Sequence, residues 1–248
     1  MRAGYGYGYG VDKAGVKKYN PINALGAALL GYWDAADAST ITLNSDKVTS
    51  WKDKIAAYDA VQSTDSLRPI YSATSFGGSP GLTFDGVDDF LHLTPHPFPI
   101  NAVPSEMWAL VSQDALVADG LVRYVVSMGT SSTTHRSIVR AVGGGINYAR
   151  GAAGSITSTY AAADFAGRSV VRNIIDGTNV QVELNGVVAA SAAAVPTTVN
   201  TRMRFGAFVN TSASNFFAGQ LAAVLVTNRL TDAEAETLRN YLMSRRNV

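Results

Sequence analysis

RSVVRNIIDGTNVQVELNGVVAAS (168–191) is the stretch that decides the fold class of this chain. Val170, Val171, Ile174 and Ile175 form an apolar run that stops at Asp176-Gly177. NVQVEL then alternates, with Val180, Val182 and Leu184 directed to one face and Gln181 and Glu183 to the other. Side chains alternate across a strand, so this pattern predicts a strand with one buried and one solvated side. Asn185-Gly186 follows, and VVAA begins a third segment. Asp-Gly and Asn-Gly supply the positive φ that tight hairpin turns demand. Two such dipeptides around one alternating strand predict a three-stranded antiparallel meander.

The same grammar extends in both directions. NALGAALLGYWDAAD (23–37) reads as the first element of a folded body, and SDKVTSW (45–51) as a polar turn feeding a strand. GLTFDGVDDFLHL (81–93) sets Asp85-Gly86 between apolar runs. MWALV (107–111) and LVRYVVSMG (121–129) read as buried strands. RSIVRAVGGGINYARG turns at its triple glycine, and TRMRFGAFV and GQLAAVLVTNR add further strands. One helix closes the chain: Thr231 and Glu234 form a capping box in LTDAEAETLRNYLMSRR, with Leu238, Tyr241 and Leu242 on one face. Many short strands with a single late helix predict a β-sandwich.

Composition narrows the classes. The 248 residues are 47% hydrophobic and 16% charged, a globular balance. Cysteine is absent, which removes disulfides and thiolate chemistry. No apolar run approaches the roughly 20 residues that span a bilayer, and the N-terminus lacks the apolar core of a secretory signal. Neither a membrane nor a nucleic acid is an expected partner. Residues 1–20 hold Arg2, Lys13, Lys17 and Lys18 against Asp12, whereas the rest of the chain is net acidic, and four basic residues make a poor nucleic-acid footprint.

Residues 26–246 resemble the laminin-G-like, concanavalin-A-like jelly-roll superfamily, in the form common among bacterial and bacteriophage proteins. The resemblance rests on YWDAADASTITL (32–43), VTSWKDK (48–54), RPIY (68–71), GLTFDGVDDFL (81–91), the DGT…VELNG meander (176–186) and GQLAAVLVTNRLTDAEAETLRNYL (219–242). It implies an all-β, two-sheet antiparallel jelly-roll sandwich. That fold carries lectins, hydrolases, adhesion modules and virion parts, so it does not by itself assign a function.

The residues argue against catalysis. A glycoside hydrolase needs two carboxylates flanking the scissile bond. Glucan-cleaving relatives of this fold carry an E-x-D-x-E strand, and this chain has none. Glu106 and Glu183 stand apart in the sequence, and Glu234 and Glu236 lie on the final helix. Asp85, Asp88 and Asp89 form the tight acidic cluster, readable as a turn or as calcium ligands. Calcium is thus the one cofactor with candidate residues. His92, His96 and His135 lack the spacing of a zinc site. Trp33, Trp51 and Trp108 are expected in the core. Tyr148, Arg150, Asn210 and Asn215 are loop candidates for glycan contact.

In MRAGYGYGYG (1–10), three tyrosines alternate with glycine. If extended, Tyr5, Tyr7 and Tyr9 face one side. The division expected is an extended arm over 1–20 and a sandwich over 21–248. Arg2, Tyr5, Tyr7, Tyr9, Lys13, Lys17 and Lys18 are the candidate anchors, with an ordinary solvated tail as the competing reading. Together with the resemblance, the arm points to a non-enzymatic virion structural protein: a capsid decoration, head spike or fibre, or tail appendage. Its partners would be other virion proteins in a multi-subunit assembly and a host-surface glycan, and its location the virion, assembled in the host cytoplasm. The alternative is an extracellular bacterial carbohydrate-binding or adhesion module, with a sugar-cleaving enzyme last.

If the arm is an anchor, trypsin should cut quickly at Lys13, Lys17 and Lys18 in the isolated protein and slowly in an assembled particle. Serine at positions 5, 7 and 9 together should release the protein from particles without unfolding it. Normal incorporation of that triple variant would return the ladder to a frayed terminus.

Overall fold

The computed structural model describes residues 10–11, 17–97, 103–113, 122–131, 134–140, 146–150, 156–157, 167–193, 202–209 and 212–246. Its frame is the meander expected from sequence. Strands Gly167–Ile175, Asn179–Leu184 and Val187–Ala193 pair antiparallel in succession. Asn185 and Gly186 both have positive φ (51° and 89°), the signature of the type I′ hairpin turn. At the other turn, Asp176 Oδ1 accepts the backbone N–H groups of Thr178 and Asn179, which holds this carboxyl down at about 2.

Sheet A continues from the meander. Gly167–Ile175 pairs with Ser105–Gln113, which pairs with Ala218–Asn228. The far side of Ala218–Asn228 is shared by Leu29–Asp34 and Ser79–Asp85. Sheet B runs from Ile156–Thr157 through Ile146–Arg150, Thr134–Arg140, Arg123–Ser131, Arg202–Phe205, Leu91–Leu93 and Ala60–Val61 to Lys47–Trp51 and Ile41–Asn44. Ile70–Phe76 joins the two by pairing with both Ser79–Asp85 and Lys47. The fold is an all-β, two-sheet antiparallel sandwich of the concanavalin-A-like jelly-roll type.

Between the sheets lie Trp33, Met107, Val171, Val224 and Val226 from sheet A, against Trp51, Leu91, Leu93, Val126, Met203 and Phe205 from sheet B. Phe205 meets both tryptophans edge-on, at 5.2 Å from Trp33 and 5.8 Å from Trp51. Edge-to-face contacts place the positive rim of one ring on the negative face of the next. All three tryptophans are fully buried, as expected. Trp108 is in a second layer, where Tyr32, Leu110, Val170 and Leu225 meet Leu238 and Leu242. The helix Asp232–Arg246 therefore covers the outer face of sheet A, and MWALV is buried on both sides. Its capping box closes as read: Thr231 N–H donates to Glu234 Oε2 and Glu234 N–H to Thr231 Oγ1.

The structure corrects or extends the sequence reading at three places. Glu183, expected on a solvated face, is only 8% exposed, because Arg172 lies directly opposite it and covers it. Asp85-Gly86 is a turn but not a hairpin: its flanking strands belong to different sheets, so it carries the chain across the sandwich. A one-turn helix, Pro21–Leu25, precedes the first strand, capped by Asn20, whose side chain accepts Ile22 N–H. Tyr19 is part-buried against the helix layer, with its ring 5.2 Å from that of Tyr241. By their contacts, Tyr19 and Asn20 belong with the body.

That boundary is measurable. Removing residues 1–18 should leave the thermal midpoint unchanged. Removing 1–20 deletes the cap and the Tyr19 contact, at about 1–2 kcal/mol for such a cap alone. The midpoint should then fall by roughly 2–4 °C per kcal/mol lost. Equal midpoints for the two truncations would show that neither contact contributes.

Candidate functional site

Among the described residues, three surface places gather polar chemistry. The first is the acidic turn, where ligand atoms of Asp85, Asp88 and Asp89 lie within 4.8 Å of one another. Asp85 Oδ1 accepts the N–H groups of Val87, Asp88 and Asp89 at 2.8, 3.2 and 3.4 Å. Asp89 Oδ2 accepts Asp85 N–H in return. Arg123 ties the loop down by donating from Nη1 to Gly86 O and Phe216 O. The carboxylates thus brace the turn that carries the chain between sheets. Asp85 Oδ2, Asp88 and Asp89 Oδ1 are the oxygens left for a cation. Burial, reinforced by the charges of Asp85 and Asp88, lifts the Asp89 carboxyl to about 7.

The second place is a cleft of about 760 Å³ at the root of the arm. Tyr19, Asp37, Lys54, Asn240, Tyr241 and Arg245 line it. Its charges are matched: Lys54 pairs with Asp37, and Arg245 Nη2 donates to Asp34 Oδ1 at 2.7 Å. Tyr32 donates to Asp34 Oδ2 at 2.7 Å, and burial, then the Asp34 charge, raises its phenol well above the ordinary value.

The third place is on the outer face of sheet B. In Arg202–Phe205 the residues alternate, and Met203 and Phe205 enter the core between the sheets. Arg202 and Arg204 therefore emerge on the outside. His92 is directly opposite Arg204 on the neighbouring strand. With Gln62, Thr64, Leu67, Phe90 and Thr94 they line a cleft of about 500 Å³. Arg204 is only 7% exposed, and its guanidinium lies 5.2 Å from the centre of the Phe90 ring. Its Nη1 donates to Phe208 O at 2.8 Å, while its Nε is buried with no partner among the described residues. Burial, then the charge of Arg202, lowers the Arg204 pKa; burial, then Arg204 and Arg202, lowers that of His92. No acidic residue lines this cleft among the described residues.

Glu106 and Glu183 are separated in sequence, but the fold joins them through Arg172. Arg172 Nη2 donates to Glu106 Oε1 at 2.7 Å, and Nη1 to Glu183 Oε2 at 3.0 Å. Glu106 is fully buried and also accepts Arg229 Nη1, Leu230 N–H and Trp108 Nε1. This carboxylate is occupied by structural donors and screened from any substrate.

Of the other candidates, Asn215 is a turn residue at φ 53° whose amide donates to Val122 O. Tyr148 and Arg150 are on Ile146–Arg150, and Lys17 and Lys18 on a short strand paired with Gly10–Val11; their side chains lie outside the described residues. Arg2, Tyr5, Tyr7, Tyr9, Lys13 and Asn210 lie outside them altogether. The arginine cleft was missed by sequence reading. Its signal was present in RMRF, where arginines alternate with core residues, and in LHL of the neighbouring strand.

No protein-family model matches the sequence, and no curated protein sequence does either. Among solved structures, Trypanosoma rangeli sialidase with 2,3-difluorosialic acid aligns at TM-score 0.62 and 16% identity, over 95% of this chain and 35% of that one. The same sialidase with sialic acid aligns at 0.61 and 15%, over 96% and 36%. The CBM40 module of the Ruminococcus gnavus IT-sialidase reaches 0.47 at 12% identity, over 56% of this chain and 83% of that module, too low to argue from. This chain spans about a third of the length of the trypanosomal sialidase. At such identities the likeness is one of fold.

The acidic turn yields a pH signature. Asp89 holds its proton more tightly folded, at about 7, than in an unfolded chain, near 3.9. Its contribution is full below the unfolded value and is lost as pH rises through 7. Asp89→Asn keeps an acceptor for Asp85 N–H and carries no charge. It should raise the thermal midpoint by several degrees at pH 8 and change it little at pH 4. Equal shifts at both pH values would separate the effect from the carboxylate's charge.

Proposed function

We propose that this chain is a non-catalytic display module, anchored through its N-terminal arm and contacting carbohydrate with the outer face of sheet B. The observation that carries this reading is the opposition of two surfaces. The arm joins the body at Tyr19, against the helix that covers sheet A. The arginine cleft opens on the far side of the sandwich, on sheet B. A module fixed by its arm can therefore turn the cleft outward.

The cleft has the makings of a sugar site: a concave floor, the Phe90 ring, the Thr64 and Thr94 side chains, and guanidinium donors. Phe90 is supported from behind by Phe216, at 6.4 Å between ring centres. The arm-root cleft, in contrast, is on the mounting side and is closed by internal ion pairs.

In its specific form the proposal is a bacteriophage virion protein, a capsid decoration, head spike or fibre, or tail appendage, attaching to a host-surface glycan. The second reading is an extracellular bacterial carbohydrate-binding or adhesion module, for which the same cleft serves and the arm is a linker. Absence of catalysis belongs to both, since Glu106 and Glu183 are consumed by Arg172 and Asp85 and Asp89 by backbone N–H groups.

The folded protein should be retained by some member of a panel of immobilised bacterial surface oligosaccharides, without releasing reducing ends. Thr64 is exposed on the rim, so Thr64→Trp should block retention while leaving the thermal midpoint unchanged. Failure of the whole panel would remove the glycan reading. Turnover that vanishes on substituting Asp85, Asp88 or Asp89 in a folded protein would make it an enzyme. Detection in purified particles separates the virion from the secreted module.

A further inference from the structure

We infer that this chain pairs with a second copy of itself through the free edge of sheet A, strand Val187–Ala193 running antiparallel to the same strand of its partner. The surface is distinct from the cleft on sheet B, and the inference stands whether or not that cleft takes sugar.

Among the described residues, the edges of the sandwich are answered in different ways. Sheet B ends in strands of two and four residues, Ile156–Thr157 and Ile41–Asn44. In sheet A, Leu29–Asp34 pairs on one side with Ala218–Asn228. Its other side is closed by the chain that follows the Trp51 strand: Asp53 Oδ1 accepts Tyr32 N–H at 2.7 Å, and Lys54 N–H donates to Tyr32 O at 2.8 Å. Val187–Ala193 is seven residues long, and among the described residues it pairs with Asn179–Leu184 alone. Short or covered edges resist pairing with another chain, and a long open edge invites it.

The residues of this strand do nothing to refuse a partner. VVAASAA contains no charge, proline or glycine. Val187 and Val188 are 60% and 53% exposed, and Ser191, Ala192 and Ala193 are exposed as well. Edges that stay single commonly carry lysine or proline. The one irregularity is a bulge at buried Ala189, between Val188 opposite Glu183 and Ala190 opposite Val182.

That bulge sets the register in which two copies fit. Val187, Ala190 and Ala192 lie opposite Leu184, Val182 and Val180, which belong to the core face. Val188 and Ser191 lie opposite Glu183 and Gln181, on the other face. A two-fold axis through Ala190 keeps both faces in register when Ala189 is passed over. Ala190 then meets the partner's Ala190, Val188 meets the partner's Ser191, and Val187 meets the partner's Ala192. Each exposed valine is set against a small side chain.

Charge selects a second copy over an unrelated strand. Arg239 of the helix lies against the turn that precedes Val187, so close that a Cβ on Gly186 would be 2.7 Å from Arg239 Cδ. At the far end Ala193 is opposite Asn179, whose turn carries the exposed Asp176. A basic end, a neutral middle and an acidic end match their own reverse. Antiparallel pairing brings the Arg239 end of each copy beside the Asp176 end of the other, twice over.

The axis is perpendicular to the sheet, so the two copies continue sheet A as one surface. Both helices then lie on one side and both sheet-B clefts on the other. An edge of this length buries less than the roughly 1,000 Å² of a lasting interface, so the dimer depends on concentration. Mounting two copies side by side raises their effective concentration and favours the contact.

The test follows the full chain by sedimentation over a roughly hundredfold range of concentration, where it should pass from monomer toward dimer. Val187→Lys with Val188→Lys, both at exposed positions, should weaken dimerisation by about tenfold or more and leave the thermal midpoint of the dilute protein unchanged. The chain has no cysteine, so single cysteines read the register directly. Facing residues of antiparallel strands have Cα atoms about 4.5–5.5 Å apart, within reach of a disulfide. Ala190→Cys should therefore crosslink to dimer under mild oxidation. Ser191→Cys is more exposed but sits diagonally from its counterpart, and should crosslink more slowly. A monomer at every concentration overturns the inference. A dimer that the two lysines leave unchanged places the contact elsewhere and overturns it too. Faster crosslinking at 191 than at 190 marks random collision and overturns the two-fold at Ala190. Should the lysine variant fail to fold, the pair of cysteine variants decides.

Discussion

A single buried carboxylate fixes how the layers of this protein meet. Glu106 is fully enclosed, and its two oxygens accept from Arg172, Arg229, the Leu230 N–H and the Trp108 indole. The donors come from three parts of the fold. Arg172 is on the adjacent strand, Arg229 and Leu230 form the junction between the last strand and the helix, and Trp108 is the large ring under that helix. An unpaired charge in such a place would cost several kcal/mol. With five donors the same charge sets the angle at which the helix leaves the sheet. Arg172 is positioned in turn, 4.7 Å from the centre of the Trp108 ring and bonded to Glu183. The outer face of sheet A is thus organised by ions before apolar contacts complete it.

This also explains what the sequence could and could not disclose. Local rules act over a few residues, so the meander, its Asn-Gly turn and the Thr231–Glu234 box were legible. So were the buried tryptophans, since large rings have few other places to go. Glu183 was misread because alternation identifies a face but not what covers it. The Asp85-Gly86 turn was legible as a turn, but which strands it joined depended on pairings more than a hundred residues away. Of the sites, the brace at Asp85 and Asp89 followed from residue type alone. The arginine cleft did not, because Phe90, His92, Gln62 and Arg204 converge from three separate strands and loops.

The two sheets differ in what backs them. Sheet A has a helix on its outside, which makes it a middle layer with apolar residues on both faces. Among the described residues no helix covers Arg202, Arg204 and His92 on sheet B, and its outer face keeps charge and aromatic surface together. The asymmetry gives the sandwich a back and a front. The back accumulates matched ion pairs, including Arg245 with Asp34 and Lys54 with Asp37, which leave little unspent charge. The front carries Arg204, whose partners are the Phe208 carbonyl and the Phe90 ring.

The contact between the tilted rings of Tyr19 and Tyr241 has a consequence for architecture beyond the domain itself. They bring the entry point of the folded body beside the last turns of its final helix, with ring centres 5.2 Å apart. A unit that starts and finishes at one spot can be spliced into a surface loop of another protein without stretching its host. It can also be cut open elsewhere and rejoined at that spot with little change in its packing. Geometrically the sandwich behaves as a cassette: the folded body is entered beside the helix that closes it, which leaves the opposite face, sheet B, clear of the junction.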